Sequence, residues 1–195
     1  MSEPVFTIDY FTHNIPKWTI ILEYLNKTFG PNLDCLEVGT FEGRSALYLL
    51  DHFVGNGNLT VIDKFYFPGA TNKYFQNIAN HEKNKQIKTI SGESLVELAN
   101  LYKQEAQFDF IYIDAGKTAV ENISSLIIAE RILKIGGIVV IDDYGWDKLP
   151  DPRYCPKLGI DKFTEITVLS EIFMKGYQMA FKKIKHNDEL IAHKK

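Results

Sequence analysis

Three β-rich runs in this chain end on a carboxylate. "NLTVID" closes on Asp63, "FDFIYID" on Asp114 and "GIVVID" on Asp142, with Asp143 directly after. Lys117 follows Asp114 by three residues. Strands buried in a parallel sheet need no charge at their ends. Those ends are, however, where ligands sit in open α/β folds. Adjacent strands lie roughly 4.8 Å apart, so acids at their ends can converge on one ligand or ion. A lone Asp is as readily a surface carboxylate or a helix cap. An Asp114–Lys117 pair alone is as readily a solvated ion pair of little energy. Three acids on one sheet edge are harder to dismiss.

A glycine turn precedes them. In "LEVGTFEGRS" (36–45) a strand ends at Glu37-Val38-Gly39, and Thr40 and Gly43 lead into a helix that carries Ser45. Glycine lets the backbone turn sharply and approach a ligand. The free amides of a helix start favour an acceptor or anion. A phosphate loop needs Gly-Lys-Ser/Thr, and here Arg44 follows Gly43. A dinucleotide fingerprint needs a third glycine, which is absent. The E-x-G-x-x-x-G spacing fits a third kind of cofactor turn, or a turn without a ligand. Asp63 lies where an acid can hold both hydroxyls of a ribose. After the next strand, Glu93 or Ser94 in "SGES" could bond an adenine edge.

The elements that must position these residues alternate. Strands are expected at 33–39, 58–63, 87–90, 108–114 and 137–142. Helical spacing runs through 42–53, 93–104 and 118–133. Thr118 and Glu121 form a capping-box pattern for the last of these, and Gly136-Gly137 punctuate the turn into the next strand. "ITVLSEIFM" and "YQMAFKKI" read as a closing antiparallel pair. Asn14 and Pro16 mark the start of an amino-terminal helix. Residues 65–74 read as an aromatic loop, and the lysine-rich tail after Ile184 as a solvated end. The expectation is an α/β fold with a Rossmann-like, doubly wound, mostly parallel seven-stranded sheet. One domain over residues 1–195 is expected, with 1–30 as a helical cap.

Bulk properties agree with that frame. The 195 residues are 45% hydrophobic and 24% charged, an ordinary globular composition. A net charge of −3 argues against an electrostatic grip on nucleic acid or a membrane. Cys35 and Cys155 make neither a disulfide framework nor a zinc cluster. No secretory pattern opens the sequence and no apolar run is long enough to span a bilayer. A cytoplasmic location is the expectation, and the carboxyl-terminal strand pair could support a homodimer.

Taken in order, "LEVGTFEGRS", "TVID", "SGES", "FIYIDAGK" and "LKIGGIVVIDDYGW" resemble the class I S-adenosylmethionine-dependent methyltransferases. "DYFTHNIPKW", "FEGRSALYLLD" and "CPKLGIDKF" look like the bacterial macrocin-type O-methyltransferases. The Asp114-x-x-Lys117 spacing is instead similar to the catechol and caffeoyl-CoA O-methyltransferases. The resemblance implies S-adenosylmethionine at Glu37, Gly39, Thr40, Gly43, Ser45, Asp63, Glu93, Ser94 and Asp114. It implies Mg²⁺ or Mn²⁺ on Asp114, Asp142 and Asp143, since hard oxygen ligands suit such ions. Lys117 would then take the proton of a small-molecule hydroxyl, provided burial and a nearby cation lower its pKa. The alternatives are a metal-free N- or C-methyltransferase, a nicotinamide-dependent protein, or a non-catalytic cofactor binder. Tyr144 and Trp146 could wall the acceptor or merely anchor a loop. His13 could help close the mouth of the site or lie on the surface.

Overall fold

The computed structural model describes residues 3–146 and 148–189. Seven strands form one sheet in the order β3-β2-β1-β4-β5-β7-β6. They are β1 Cys35–Val38, β2 Leu59–Asp63, β3 Ile87–Ser91, β4 Phe108–Ile113, β5 Leu133–Ile141, β6 Ser170–Lys175 and β7 Met179–Lys183. The first five pair in parallel, and β7 runs antiparallel to both β5 and β6. The doubly wound sheet and its closing antiparallel pair are as expected from sequence.

Six helices cover the two faces: α1 Ile15–Phe29, α2 Arg44–His52, α3 Pro68–Ala79, α4 Ser94–Lys103, α5 Ala119–Ile132 and α6 Pro156–Ile166. Alternate strand residues feed two cores, because successive side chains point to opposite faces. Cys35, Phe110 and Tyr112 pack with Trp18, Leu50 and Tyr74 of α1, α2 and α3. Leu36, Val38 and Ile111 pack with Leu98, Leu126 and Ile160 of α4, α5 and α6. β1 and β4 are buried along their whole length, as a central parallel strand requires.

The structure corrects four local readings. Of residues 65–74 only 65–67 are irregular: Pro68 opens α3, where a fixed φ and a missing N–H suit a first turn. Gly136 and Gly137 lie within β5, which begins at Leu133, and the pairing with β4 shifts register between Phe108 and Phe110. Asn14 precedes α1 but makes no capping bond. Instead Asp9 accepts from the amides of Phe11 (3.0 Å) and Thr12 (2.8 Å). Ile166 ends α6, so β6 starts only at Ser170. The capping box of Thr118 and Glu121 is present at α5. In the tail, residues 190–195 lie outside the described residues.

Candidate active site

The strand register assembles the site. Val38 pairs with Ile62 on one side and Ile113 on the other, Ile113 with Ile141, and Ile141 with Met179. One residue further along, Asp63, Gly39, Asp114, Asp142 and Gln178 therefore fall in a single row across the carboxyl edge of the sheet.

Gly39 stands in the row between Asp63 and Asp114. Its φ is +88°, and a Cβ there would lie 2.5 Å from the carbonyl oxygen of Asp114. Gly43 has φ +85° and a Tyr74 ring carbon 2.9 Å from a would-be Cβ. The two glycines thus let the turn fold back on β4 and seat α2. Asp63 ties this turn from the next strand. Its Oδ2 accepts from the amides of Thr40 (2.8 Å) and Phe41 (3.3 Å), and its Oδ1 from the amide of Phe65 (2.8 Å).

Beneath the turn, Glu37 is fully buried. The Ser45 hydroxyl donates to its Oε1, while Oε2 has no hydrogen-bond partner among the described residues. Burial pushes its pKa from 4.5 up to about 8. The folded protein then holds this proton where the unfolded chain releases it. Stability should fall as pH rises from about 4.5 to 8, by up to roughly 1.4 kcal/mol per pH unit. Glu37→Gln should flatten that slope. Melting curves at stepped pH would show it, and equal slopes for the two proteins would place the proton elsewhere.

A cavity of about 710 Å³ opens above Gly39. Thr40, Ser45, Asp63, Glu93, Ser94 and Asp114 all line it, so most of the expected cofactor residues share one space. Exposed Glu93 pairs with Lys64 at 2.5 Å. An amino-terminal strap forms another wall through Phe6, Ile8 and Tyr10. Asn77 exchanges two hydrogen bonds with the backbone of Val5, at 2.9 and 3.1 Å. Glu42, 3% exposed, accepts from the Thr7 amide and hydroxyl and pairs with Lys73 at 3.0 Å. Sequence reading missed both anchors, because nothing local marks Glu42 or Asn77 as a partner of residues 35 and 72 positions away. A glycine cradle, a ribose-competent acid and an unpartnered buried carboxyl oxygen beside the cavity fit an adenosyl amino-acid cofactor.

The acids implied as metal ligands are arranged differently. The Lys117 ammonium bridges Asp114 (3.0 Å) and Asp143. The Tyr177 hydroxyl also donates to Asp143, at 3.2 Å. Asp142 is 8% exposed and faces inward. Its Oδ2 accepts from Tyr112 (2.5 Å) and Gln178 (2.9 Å), and its Oδ1 from the Asp143 amide (2.7 Å). Trp18 in turn donates to Gln178 at 3.0 Å. Among the described residues, no group of three or more acids, histidines or cysteines is arranged to hold a metal ion. The donor set as folded does not fit the implied divalent ion. Two carboxylates already share an ammonium, and the third is engaged by Tyr112 and Gln178.

Lys117 also departs from the expected direction. Burial pulls its pKa down, but Asp114 and Asp143 outweigh burial and the net shift is upward. Asp114 is itself pushed up to about 7, by burial first, with Lys117 opposing.

The remaining candidates separate. Tyr144 is buried and donates to Asp161 at 2.9 Å, with Lys157 over its ring, so it anchors α6 rather than walling the cavity. Trp146 is half-buried, and its amide closes a turn on Asp143 at 2.9 Å. His13 is exposed. Tyr112, a cavity-lining residue, read only as a β-former. Its position two residues before Asp114, on the same strand face, was the available signal.

Known proteins resemble this chain in sequence and fold. The chain is 28% identical over 143 residues to a caffeoyl-CoA O-methyltransferase of Populus kitakamiensis, covering 67% of this chain and 59% of that protein. The chain thus spans less than two thirds of that relative. Among solved structures, an O-methyltransferase from Bacillus cereus in complex with SAH superposes with a TM-score of 0.71 at 19% identity, covering 91% of this chain and 84% of the other. The methyltransferase MycE of the mycinamycin pathway, in complex with Mg, SAH and mycinamycin VI, gives 0.64 at 15% identity over 93% and 52%. At these identities the structures speak for the fold. A family model described as a methyltransferase domain matches residues 36–144. That span holds the glycine turn, the three acids of the row and Asp143, and by it the chain belongs to the methyltransferase-domain family.

Proposed function

We propose that this protein transfers a methyl group from S-adenosylmethionine to a hydroxyl of a small molecule. The observation that carries the reading is the cavity over Gly39, lined from one side by Asp63 and from the other by Asp114. S-adenosylmethionine, when bound, supplies a methyl group on a positively charged sulfur. The residues do the rest. Asp63 would take the ribose hydroxyls, Glu93 or Ser94 the adenine edge, and Glu37 and Ser45 the amino-acid end, since the amides of Gly39 and Thr40 already donate to Ile62 and Asp63. Asp114 and Lys117 form the polar end of the cavity, where an acceptor oxygen would meet the methyl group; the sulfonium would leave as neutral SAH, and the hydroxyl proton would pass to the Asp114 carboxylate and on to water. The strap's Phe6, Ile8 and Tyr10 cover one side.

The reading is tested by thermal denaturation with SAH and with a nicotinamide dinucleotide. A ligand at about one hundred times its Kd adds about 2.7 kcal/mol to the native state. For a chain of this size that raises the midpoint by about 5–10 °C. SAH should give that shift and the dinucleotide none. The reverse pattern would make the protein a nicotinamide binder.

A further inference from the structure

We propose that Lys117 is this site's own cation and that the acid cluster takes no divalent ion. The inference rests on the methyl-transfer reading for its site, but not on the identity of the acceptor. Three observations support it. The Lys117 ammonium lies between Asp114 and Asp143, so it holds a point on which two of the implied metal-ligand carboxylates converge. Asp142, the third acid, is turned towards the α1 face, where both its oxygens accept hydrogen bonds. The groups that hold it there come from distant elements. Tyr112 lies on β4, and Gln178 falls opposite Asp142 through the antiparallel β5–β7 register. Gln178 is itself fixed by the buried Trp18 indole.

A divalent ion would have to displace an ammonium from two carboxylates. It would also have to draw Asp142 away from three donors in a buried network, where an abandoned polar partner is costly. Tyr112 reaches both acids, with its hydroxyl 3.3 Å from Asp114 and 2.5 Å from Asp142. It therefore sets the row's geometry without a bridging metal. Lys117 and Tyr112 are positioning residues in this reading: they fix where the carboxylates stand, and the acceptor meets a cluster already neutralised in part by the chain itself.

The test is Mn²⁺ binding, followed by the loss of the free-ion electron paramagnetic resonance signal. It is run on wild type, Lys117→Met and Lys117→Met with Tyr112→Phe, each with and without SAH. Half-exposed Lys117 supports no core packing, so the single variant should fold, and its melting curve checks this. Wild type should leave millimolar Mn²⁺ free. Lys117→Met should bind it at least about tenfold more tightly, and the double variant, with Asp142 released, more tightly still. Tight Mn²⁺ binding by wild type would overturn the inference. So would a folded Lys117→Met that binds no better than wild type, because the acids would then not converge on a cation. The SAH melting shift reports the cofactor reading separately, so its failure cannot be mistaken for either outcome.

Discussion

Gly39→Ala should cost about 3 kcal/mol or more of folding stability and abolish SAH binding. Two penalties combine. An L-residue at φ +88° is strained. The new methyl would also lie 2.5 Å from the carbonyl oxygen of Asp114, the residue after β4, which cannot move without disturbing the central strand pair. Losses of this size are uncommon and need such a cause. Gly69→Ala is the internal control. It lies in the first turn of α3 with nothing within 4 Å of a would-be Cβ, so it should be neutral or slightly stabilising, by up to about 1 kcal/mol. Urea denaturation and titration calorimetry on both variants check the contrast. A Gly39→Ala protein of wild-type stability would mean that the turn is not held against Asp114.

Asp63→Ala should produce the second large effect. The carboxylate accepts three backbone amides that shape the turn and the entry to α3. It is also the proposed anchor of the ribose. Hydrogen bonds to a charged group are worth roughly 1.5–3 kcal/mol each. Losing even two should weaken SAH binding by at least about a hundredfold. Asp63→Asn separates the two roles, since its carbonyl oxygen can still serve some of the amides. It should recover much of the stability but less of the affinity. Calorimetry showing wild-type affinity in a folded Asp63→Ala protein would put the ribose elsewhere.

The sheet was legible because its strands are apolar, β-branched and punctuated. The expected runs at 58–63, 87–90 and 108–114 lie within one residue of β2, β3 and β4. What was not legible involved residues whose local signals point one way and whose neighbours decide otherwise. Pro68-Gly69 among aromatics reads as a turn, yet a proline is also a good first helical residue, and Ala70, Tyr74 and Ile78 then face the core. Gly136-Gly137 read as a break, but β4 and β7 pair on either side of the strand they belong to.

The site divides the same way. Strand-end acids and the glycine turn are sequence-local, and seven of the expected cofactor residues do line one cavity. The direction of Asp142 was beyond reach, because it depends on Gln178, whose place opposite it follows only from the reversed direction of β7. The expected lowering of the Lys117 pKa failed for a related reason. It assumed a metal beside the amine, and the folded chain sets two carboxylates there instead.

The row formed by Asp63, Gly39, Asp114, Asp142 and Gln178 also limits how the gene encoding this chain can vary. Side chains alternate faces along a strand, so one inserted residue near the carboxyl end of β1 or β4 would turn every following side chain to the wrong face. Insertions and deletions should therefore be excluded from that edge, where change can come only by substitution. The opposite edge carries no such restriction. There the sheet already absorbs a register shift between Phe108 and Phe110 before pairing evenly up to Ile113 and Ile141. Libraries with single-codon insertions in β4 should keep SAH binding when the insertion falls between Gln107 and Phe110 and lose it when it falls between Ile111 and Asp114.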